Sequence, residues 1–563
     1  MKKKLLLIPA VAAFLLSVPA AFSGGGWNDV QSIEYKDKHI SNPVRPQPGL
    51  VWDSAVQPRY KVLHPSSPKG AGMMAAPLNE IDQILDKAIS DQIMPGAVVL
   101  VARGGKVVKH SAYGFSARYA DDSFSELENP IPMKTQTIFD LASISKLFTS
   151  VAVMILHEKG LIELDQPAAV YIPEFAQAGK DSVTVRQLLT HTSGLEAWIP
   201  LYSKGHSRED RLQLVFKHPL KNEPGTVYTY SDLNMITLGA IVEKLSAQPL
   251  DEFVNEYITG PLAMKDTMYN PPLALQKRIA ATEYQPLLKR GLVWGQVHDE
   301  NAWSLDGVAG HAGVFSTASD LAKFASIFLN EGKYAGKRIL SPESIHALLE
   351  NQNTTFPGND HGLGWELNQG WYMDAMSDGD SFGHTGYTGT SIVVNPSNKT
   401  IAILLTNRVH PSRSTVSVNQ TRRFFARQVA DSIPVTISGK GNTWFSGYGD
   451  NQSKLLETDL ALREDGILSF DHWHRMEGNA DFGYVEVYRD GAWQPLAKFT
   501  ANSEGWQKTK LVLPKEASKL RFRYQTDGSV NGRGWYIYNP EVKTEGKTSE
   551  LPLTSSDWLQ RNY

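Results

Sequence analysis

A serine and a lysine three residues apart begin a long apolar helical segment in this chain. Ser143 and Lys146 lie in the sequence FDLASISKLF, which contains neither glycine nor proline, and an apolar run from Leu147 to Ile155 follows. On a helix this spacing places both side chains on one face, about one turn apart. A serine hydroxyl needs a nearby base before it attacks a carbonyl, and the lysine supplies one. Ser145 is a rival nucleophile, but it points roughly 100° away around the helix from Lys146.

Two later motifs contain the partners that such a serine requires. Tyr230 and Asp232 lie in the sequence YTYSDLN, and His384 begins the sequence HTGYTGT, which precedes a β-branched strand pattern. With the first motif, this order resembles the serine penicillin-recognising enzymes, whose motifs are S-x-x-K, a central triplet and K-T-G. The tyrosine in the middle motif is similar to that of the class C β-lactamases and D,D-peptidases.

The resemblance implies both a fold and a set of catalytic roles. The expected fold is α/β (α+β), with an antiparallel sheet flanked by helices and a mostly helical subdomain that carries Ser143. Lys146 and Tyr230 are expected to exchange protons with the nucleophile. Asp232 is expected to contact the substrate, and it stands where that branch usually has asparagine. This departure leaves the role of Asp232 open, because a carboxylate cannot donate a hydrogen bond to a substrate carbonyl.

The third motif departs from the family pattern because His384 replaces lysine. Lysine is a cation at pH 7, whereas an unperturbed histidine titrates near pH ~6.5. We therefore expect a substrate carboxylate to bind less strongly than in a β-lactamase, and more weakly as the pH rises. The resemblance also assigns substrate binding to Thr385, Gly386 and Tyr387. The backbone N–H groups of Ser143 and Tyr387 are the expected oxyanion donors.

Two further segments, WGQVHDEN at 294–301 and GHAGVFS at 310–316, are similar to a narrower branch of this family. That branch includes penicillin-binding protein 4B-like carboxypeptidases and exo-acting N-acetylmuramyl-L-alanine amidases. It implies hydrolysis, through an acyl-enzyme, of peptidoglycan peptides or muropeptides, at a D-alanyl terminus or at the bond between muramic acid and peptide. A secreted esterase, a β-lactamase and a non-catalytic peptidoglycan receptor remain the alternatives.

Several histidines and carboxylates accompany these motifs without the spacing of a metal site. No H-E-x-x-H or similar pattern is present, so we expect these residues to line the cleft through hydrogen bonds, with no metal and no other cofactor. They are His298, Asp299, Glu300 and His311. His191, in the sequence TVRQLLTHTSGL, is expected to fix a loop rather than to act in catalysis.

Composition and the first residues indicate an exported protein. The chain begins with three lysines after Met1 and continues with an apolar stretch, which predicts a signal peptide over residues 1–23 and a secreted or periplasmic location. No later stretch reaches 18 apolar residues, so no transmembrane span is expected. The net charge of -3 gives no basic surface for nucleic acid. Because the chain has no cysteine, a disulfide and a thiol nucleophile are excluded.

The 563 residues suggest two domains and a spacer. Residues 24–75 predict a loosely packed arm rich in proline and glycine, and residues 76–432 the hydrolase domain. Short alternating runs and six of the 13 tryptophans follow residue 441, which predicts an all-β sandwich over residues 442–545. This region resembles jelly-roll accessory domains, which implies a contact with carbohydrate or cell wall. Glu477, Asp481 and Asp527 there are candidate ligands for a structural calcium. All three motifs precede residue 433, so we expect the hydrolase domain to fold and turn over substrate without the sandwich.

Overall fold

The structure, a computed structural model, describes Trp52, residues 62–435 and residues 442–563. All of them belong to one compact unit, residues 41–563. The predicted signal peptide and most of the predicted arm lie outside the described residues. Among those that are described, no helix combines the length and the apolar character needed to cross a bilayer.

Helices occur only in the first part of the described chain. The α-helices are α1 (Ala75–Ser90), α2 (Ser145–Glu158), α3 (Val185–Leu189), α4 (Arg208–Lys217), α5 (Asp232–Ser246), α6 (Leu250–Val254), α7 (Glu300–Ser304), α8 (Ala318–Leu329), α9 (Pro342–Leu349), α10 (Gly370–Met373) and α11 (Asn419–Asp431). The helices α2 to α6 follow one another in the chain and form a mostly helical region. Within this region, α2 packs against α5 and α6.

The strands of this first part form one large sheet and three short two-stranded pairs. The strands are β1 (His64–Pro65), β2 (Gly96–Arg103), β3 (Lys106–Tyr119), β4 (Glu126–Pro132), β5 (Phe139–Asp140), β6 (Tyr284–Gln285), β7 (Gly291–Leu292), β8 (Phe315–Ser316), β9 (Lys333–Tyr334), β10 (Lys337–Arg338), β11 (Glu366–Leu367), β12 (Phe382–Thr385), β13 (Ser391–Asn395) and β14 (Thr400–Thr406). The large sheet has the order β1-β3-β2-β14-β13-β12-β11, with β4 beside β3. Its neighbours are antiparallel except for β1 and β3.

Strand β2 is buried on both faces because helices cover both sides of the sheet. Side chains alternate along a strand, so Val98 and Leu100 join one hydrophobic core and Val99 and Val101 join a second. The first core also contains side chains of α2, α5 and α8, and the second contains side chains of α1 and α11. A sheet between two helical layers confirms the α/β (α+β) fold class predicted for this part of the chain.

The rest of the described chain is built of strands. They are β15 (Thr443–Phe445), β16 (Ser453–Asp459), β17 (Gly466–Arg475), β18 (Phe482–Arg489), β19 (Ala492–Phe499), β20 (Gln507–Leu513), β21 (Lys519–Gln525), β22 (Gly534–Thr544), β23 (Lys547–Glu550) and β24 (Leu559–Arg561). One sheet has the order β20-β17-β22-β15-β24, with β23 beside β22, and the other has the order β16-β21-β18-β19. Phe470, Val485 and Phe522 pack between them in a third core. The predicted sandwich is therefore present, and its strands continue beyond residue 545 to Arg561.

The sandwich packs directly against the second core of the hydrolase region. Phe445, Trp473 and Tyr536 lie in the same hydrophobic cluster as side chains of α1 and α11. Trp52 is fully buried, and its ring centroid lies 6.2 Å from that of Trp473. The backbone N–H of Trp52 donates to the Pro434 carbonyl at 2.6 Å. The arm is therefore packed at Trp52 rather than loose. The expectation that the hydrolase region folds unaided does not fit this packing, because removing the sandwich would expose apolar side chains of the second core.

A buried ion cluster joins the end of α11 to the sandwich. The Asp431 carboxylate lies 2.6 Å from the Arg561 guanidinium and 3.0 Å from that of Arg533, and it accepts a hydrogen bond from the Tyr448 hydroxyl at 2.9 Å. Asp431, Arg533 and Arg561 are all almost completely buried. Such a cluster is strongly destabilised when one partner is lost, so it fixes the sandwich to this helix.

Candidate active site

Ser143 lies in a short 3₁₀ turn, Ala142–Ile144, immediately before α2. Ala142 has a φ of 47° there, a conformation that costs of order 1–3 kcal/mol for a residue with a side chain. The buried Asp140 carboxylate holds the turn, since it accepts hydrogen bonds from the N–H groups of Ala142 at 2.8 Å and of His298 at 2.6 Å. The fold therefore presents Ser143 at a strained turn that a buried side chain stabilises.

Lys146 contacts Ser143 directly. Its Nζ donates to Ser143 Oγ at 3.0 Å and to the His311 carbonyl at 3.2 Å, and it lies 2.8 Å from Asp232 Oδ1. A lysine ammonium has three protons, so these three acceptors satisfy it. Burial alone would lower the pKa of Lys146, but the Asp232 carboxylate outweighs burial and raises that pKa above its ordinary value. The resting site therefore holds Lys146 as an ammonium.

Tyr230 and Asp232 stand on either side of the start of helix α5. Ser231 between them is fixed from two directions: its N–H donates to His191 Nδ1 at 3.1 Å, and its hydroxyl donates to a backbone carbonyl at 2.6 Å. His191 thus holds this loop, as predicted. The Lys146 Nζ lies 4.8 Å from the centre of the Tyr230 ring. Burial raises the pKa of the Tyr230 hydroxyl, although the Lys146 charge opposes the rise, so Tyr230 is a neutral phenol at rest.

His384 is on strand β12, and only 1% of its surface is exposed. Its Nδ1 lies 2.7 Å from the Thr385 carbonyl and therefore carries the proton, which leaves Nε2 as an acceptor. Burial, reinforced by the Lys146 charge, lowers the pKa of His384 to about 3. A neutral ring does not favour the expected pH-dependent binding of a substrate carboxylate, and this role of His384 stays a prediction.

The turn after β12 lies close to the segment that leads to Ser143. The Thr388 hydroxyl donates to the Asp140 carbonyl at 2.8 Å, and the Thr390 hydroxyl donates to the Leu141 carbonyl at 3.1 Å. A Cβ at Gly386 would lie 2.1 Å from Thr390 Oγ1 and 2.3 Å from the Leu141 oxygen, so only glycine fits there. The predicted oxyanion donors, Ser143 and Tyr387, thus lie on either side of the contact between this turn and residues 140–141.

Three of the four predicted histidines and carboxylates at 298–311 lie in two hydrogen-bonded pairs, and the fourth, Glu300, pairs with Arg413. His298 Nε2 lies 2.9 Å from Glu283 Oε2, and His311 Nε2 lies 2.9 Å from Asp299 Oδ1. Burial alone would raise the pKa of Asp299, but His311 outweighs it and lowers that pKa well below the ordinary range. Ligand atoms of Asp232, Asp299 and His311 all lie within 4.8 Å of one another. Asp299 therefore faces the same space as the second motif.

The three acidic residues singled out in the sandwich also lie together. Ligand atoms of Glu477, Asp481 and Asp527 are all within 4.8 Å of one another. Burial, with repulsion from neighbouring carboxylates, raises the pKa of Glu477 to about 7 and that of Asp481 to about 6. The arrangement is an acidic cluster of the kind that calcium uses, far in sequence from the catalytic motifs.

Two residues of the site had no signal in the sequence. Arg422, on α11, is buried, and its Nη2 donates to the carbonyls of Gly386 at 2.8 Å and Thr390 at 2.9 Å, so it supports the turn after β12 from behind. Glu366, on β11, lies beside β12, and burial raises its pKa to about 7. Neither residue belongs to a motif. Arg422 reaches the site because α11 packs against the sheet, and Glu366 because β11 pairs with β12.

The family model described as Beta-lactamase matches residues 81–426 of this chain, a span that contains all three motifs. The chain belongs to the β-lactamase family. The N-acetylmuramyl-L-alanine amidase of Bacillus subtilis (strain 168) is 34% identical over 367 aligned positions, and the alignment covers 59% of this chain and 81% of that protein. An Escherichia coli (strain K12) protein with the provisional name D-alanyl-D-alanine carboxypeptidase is 33% identical over 386 residues, 62% of this chain and 87% of its own. These relatives confirm the resemblance and make this protein an enzyme, a hydrolase of the serine type.

Solved structures show the same fold at lower sequence identity. EstCE1, a hydrolase with promiscuous acyltransferase activity, has a TM-score of 0.50 and 22% identity over 64% of this chain and 98% of its own. A penicillin-binding protein homologue from Caulobacter crescentus has a TM-score of 0.50 and 21% identity over 63% of this chain and 97% of its own. Both matches cover almost the whole of the other protein, which confirms the fold of this β-lactamase family member.

Proposed function

We propose that this protein is an exported serine hydrolase that acts on peptidoglycan-derived peptides through an acyl-enzyme formed on Ser143. The 3.0 Å hydrogen bond between Lys146 Nζ and Ser143 Oγ carries the proposal, because it joins a hydroxyl at a strained turn to a buried proton carrier. The names of the two relatives, an N-acetylmuramyl-L-alanine amidase and a D-alanyl-D-alanine carboxypeptidase, support the choice of peptidoglycan. The predicted signal peptide supports export.

In the proposed reaction, Ser143 Oγ attacks the carbonyl carbon of the scissile amide. The Lys146 ammonium first passes a proton to the Asp232 carboxylate, which lies 2.8 Å away, and the neutral amine then accepts the Ser143 proton as the new Oγ–C bond forms. Tyr230 gives its hydroxyl proton to the leaving nitrogen as the C–N bond breaks. Lys146 returns a proton to Tyr230, and Asp232 returns one to Lys146. The N–H groups of Ser143 and Tyr387 stabilise the negative oxygen of the intermediate. A water molecule then attacks the ester carbonyl, gives its proton back to Ser143 Oγ and releases the acid.

Two amide bonds of peptidoglycan fit this chemistry: the D-alanyl terminus, and the bond between muramic acid and the first residue of its peptide. Thr385 and Gly386 align the acyl part of the substrate beside β12, in the way that an extended peptide adds to the edge of a sheet. A neutral His384 lacks the cation that faces the carboxylate of a penicillin, which disfavours a β-lactamase. A neutral ester fits the same site, so an esterase remains the second candidate.

We also propose a hydrolase domain over residues 76–432 and an accessory sandwich from residue 442 that contacts the cell wall. The end of α11 at Asp431 and the start of β15 at Thr443 support this boundary. None of the six tryptophans after residue 441 is exposed, so stacking of sugars on them is disfavoured. A groove of about 560 Å³ is lined by three lysines (Lys508, Lys510 and Lys543) and one carboxylate, Glu541. Its net positive charge supports a contact with an anionic polymer instead.

Product analysis distinguishes the candidate functions. The protein is incubated with purified muropeptides, and the products are separated and identified by mass spectrometry. Free D-alanine identifies the carboxypeptidase, a peptide released from its amino sugar identifies the amidase, and both are absent with Ser143→Ala. Turnover of a neutral p-nitrophenyl ester without any muropeptide product would instead identify an esterase. Muropeptide binding without any turnover would identify a non-catalytic receptor and contradict the proposal.

A further inference from the structure

Two carboxylates next to the proposed nucleophile each keep one oxygen without a protein partner. Asp299 Oδ1 accepts hydrogen bonds from the Ala302 N–H at 2.8 Å and from His311 Nε2 at 2.9 Å. Asp232 Oδ1 pairs with Lys146 at 2.8 Å. Within the described part of the chain, no hydrogen bond or ion pair involves the second oxygen of either residue. The two side chains are 24% and 20% exposed, so both remain open to a ligand.

The spacing of these carboxylates matches a cation small enough to lie between them. Their ligand atoms are within 4.8 Å of each other. A primary ammonium that hydrogen-bonds to two carboxylate oxygens, at about 2.8 Å each, spans up to roughly 5.6 Å between them. A carboxylate ligand at the same place would be repelled by both side chains.

His384 Nε2 is a third acceptor in this region, and like the two carboxylates it favours a ligand that donates a hydrogen bond. His384 Nε2 is buried and has no hydrogen-bond partner among the described residues, and the His384 ring centroid lies 6.0 Å from that of Tyr230. An unsatisfied buried acceptor is costly, and a ligand that donates a hydrogen bond would relieve this cost. The guanidinium of Arg290 interacts with the Asp299 charge, but its hydrogen bonds go to Gln285 Oε1 and to the carbonyls of Val297 and His298.

We propose that Asp232 and Asp299 form a subsite for a primary ammonium group, so that the preferred substrate is a peptide with a free amino group rather than one with a carboxylate at this position. This inference rests on the proposed function, since it names the substrate class of the same site. Asp299 acts as the specificity-determining residue, because Asp232 is already bound to Lys146. Asp299 is held in place by His311 and by the start of α7.

Binding to the Ser143→Ala variant tests the subsite separately from catalysis. Two probes are compared by calorimetry with EDTA present: Nα-acetyl-L-lysyl-D-alanyl-D-alanine, which has a free ammonium, and its Nα,Nε-diacetyl form, which does not. We expect the ammonium peptide to bind at least about tenfold more tightly, as a charge-assisted hydrogen bond provides. Adding Asp299→Asn should remove this preference, because asparagine keeps the helix cap but loses the charge. Asp306→Asn, at an exposed position just after the other end of α7, is the matched control and should retain the preference.

Several outcomes would overturn the inference. Equal affinities for the two peptides, or a preference that survives Asp299→Asn, contradict an ammonium subsite, and a preference seen only without EDTA indicates a metal ion instead. If neither peptide binds, the proposed peptide substrate fails, and the subsite is then tested on hydrolysis of a neutral p-nitrophenyl ester by the wild type. Pentylammonium should inhibit that hydrolysis competitively and 1-pentanol should not. Equal inhibition by both would reject the subsite.

Discussion

The cleft and the junction with the sandwich each contain a carboxylate that pairs with buried cations, but the two carboxylates are satisfied to different degrees. At the junction, both oxygens of Asp431 are bound, by Arg533, Arg561 and the Tyr448 hydroxyl, and the side chain is 1% exposed. In the cleft, Asp232 is 20% exposed and pairs through one oxygen. A carboxylate with both oxygens bound cannot accept a hydrogen bond from a ligand, whereas a carboxylate with one unbound oxygen can.

The ion cluster around Asp431 contributes to stability, whereas the pair of Asp232 and Lys146 belongs to the proposed catalytic site. Burial alone would raise the pKa of Asp431, but Arg561 and Arg533 outweigh it and keep that pKa below its ordinary value. The cluster is therefore ionised and pairs the sandwich with α11. In the cleft the same kind of pairing holds Lys146 as an ammonium against Ser143 Oγ. We therefore expect junction substitutions to change unfolding and cleft substitutions to change turnover.

The largest expected effect is on turnover. Ser143→Ala removes the nucleophile and should lower kcat by roughly 10⁴-fold or more, with little change in stability. Ser145→Ala is the matched control, because Ser145 is fully buried and its Oγ accepts a hydrogen bond from the Val314 N–H at 3.0 Å. That variant should lose about 1–3 kcal/mol of stability and keep substantial activity. An inactive Ser145→Ala beside an active Ser143→Ala would break the assignment.

The next effect is on stability. Asp431→Asn leaves Arg533 and Arg561 buried without their anion and should cost about 3–5 kcal/mol in the free energy of unfolding, measured by urea denaturation. Asp450→Asn is the control, since Asp450 is 35% exposed and lies 3.1 Å from Arg423, and it should cost about 1 kcal/mol or less. A chain ending near Ile433 loses the whole junction and should be insoluble or only partly folded. A soluble, active truncation would show that the shared core is dispensable.

The sequence predicted the parts of the molecule that short motifs encode. The spacing of Ser143 and Lys146 predicts their contact, because three residues on a helix suffice to define it. The neutral state of His384 could not be predicted, since it depends on burial and on the Lys146 charge, which come from other segments. The second core was missed for the same reason: Phe445 and Trp473 read as ordinary sandwich residues, and only the fold brings them against α11.

A smaller effect follows from the buried His384. Its pKa is lowered to about 3, so below the ordinary histidine pKa the unfolded chain binds a proton that the folded chain does not. Stability from this residue is present above pH ~6.5 and is lost as the pH falls toward 3. His384→Gln should therefore reduce the slope of unfolding free energy against pH between about 6.5 and 4. Between pH 7 and 8, titration of His384 should not alter the KM for a carboxylate-bearing peptide. A pH dependence of KM that is present in the wild type and absent in His384→Gln would contradict a neutral ring.

The smallest effect concerns the acidic cluster of the sandwich. Because the pKa values of Glu477 and Asp481 are raised to about 7 and about 6, the folded chain binds protons more tightly than the unfolded chain. These residues should therefore stabilise the fold more as the pH falls from about 7 to about 5, the opposite sign to His384. Glu477→Gln should weaken this trend in thermal unfolding, and calcium at pH 7.5 should raise the Tm of the wild type more than that of the variant. Identical pH profiles would exclude Glu477 as the source.

Mass spectrometry of the protein after a rapid acid quench shows whether an acyl-enzyme forms on Ser143. The wild type is mixed with muropeptides or with a penicillin, quenched within the first turnovers and digested to locate any adduct. We expect a mass increase equal to the acyl part of the substrate, located at Ser143 in the digested peptides. Ser143→Ala should form no adduct. An adduct at Ser145, or the same adduct on Ser143→Ala, would contradict the acyl-enzyme proposed here.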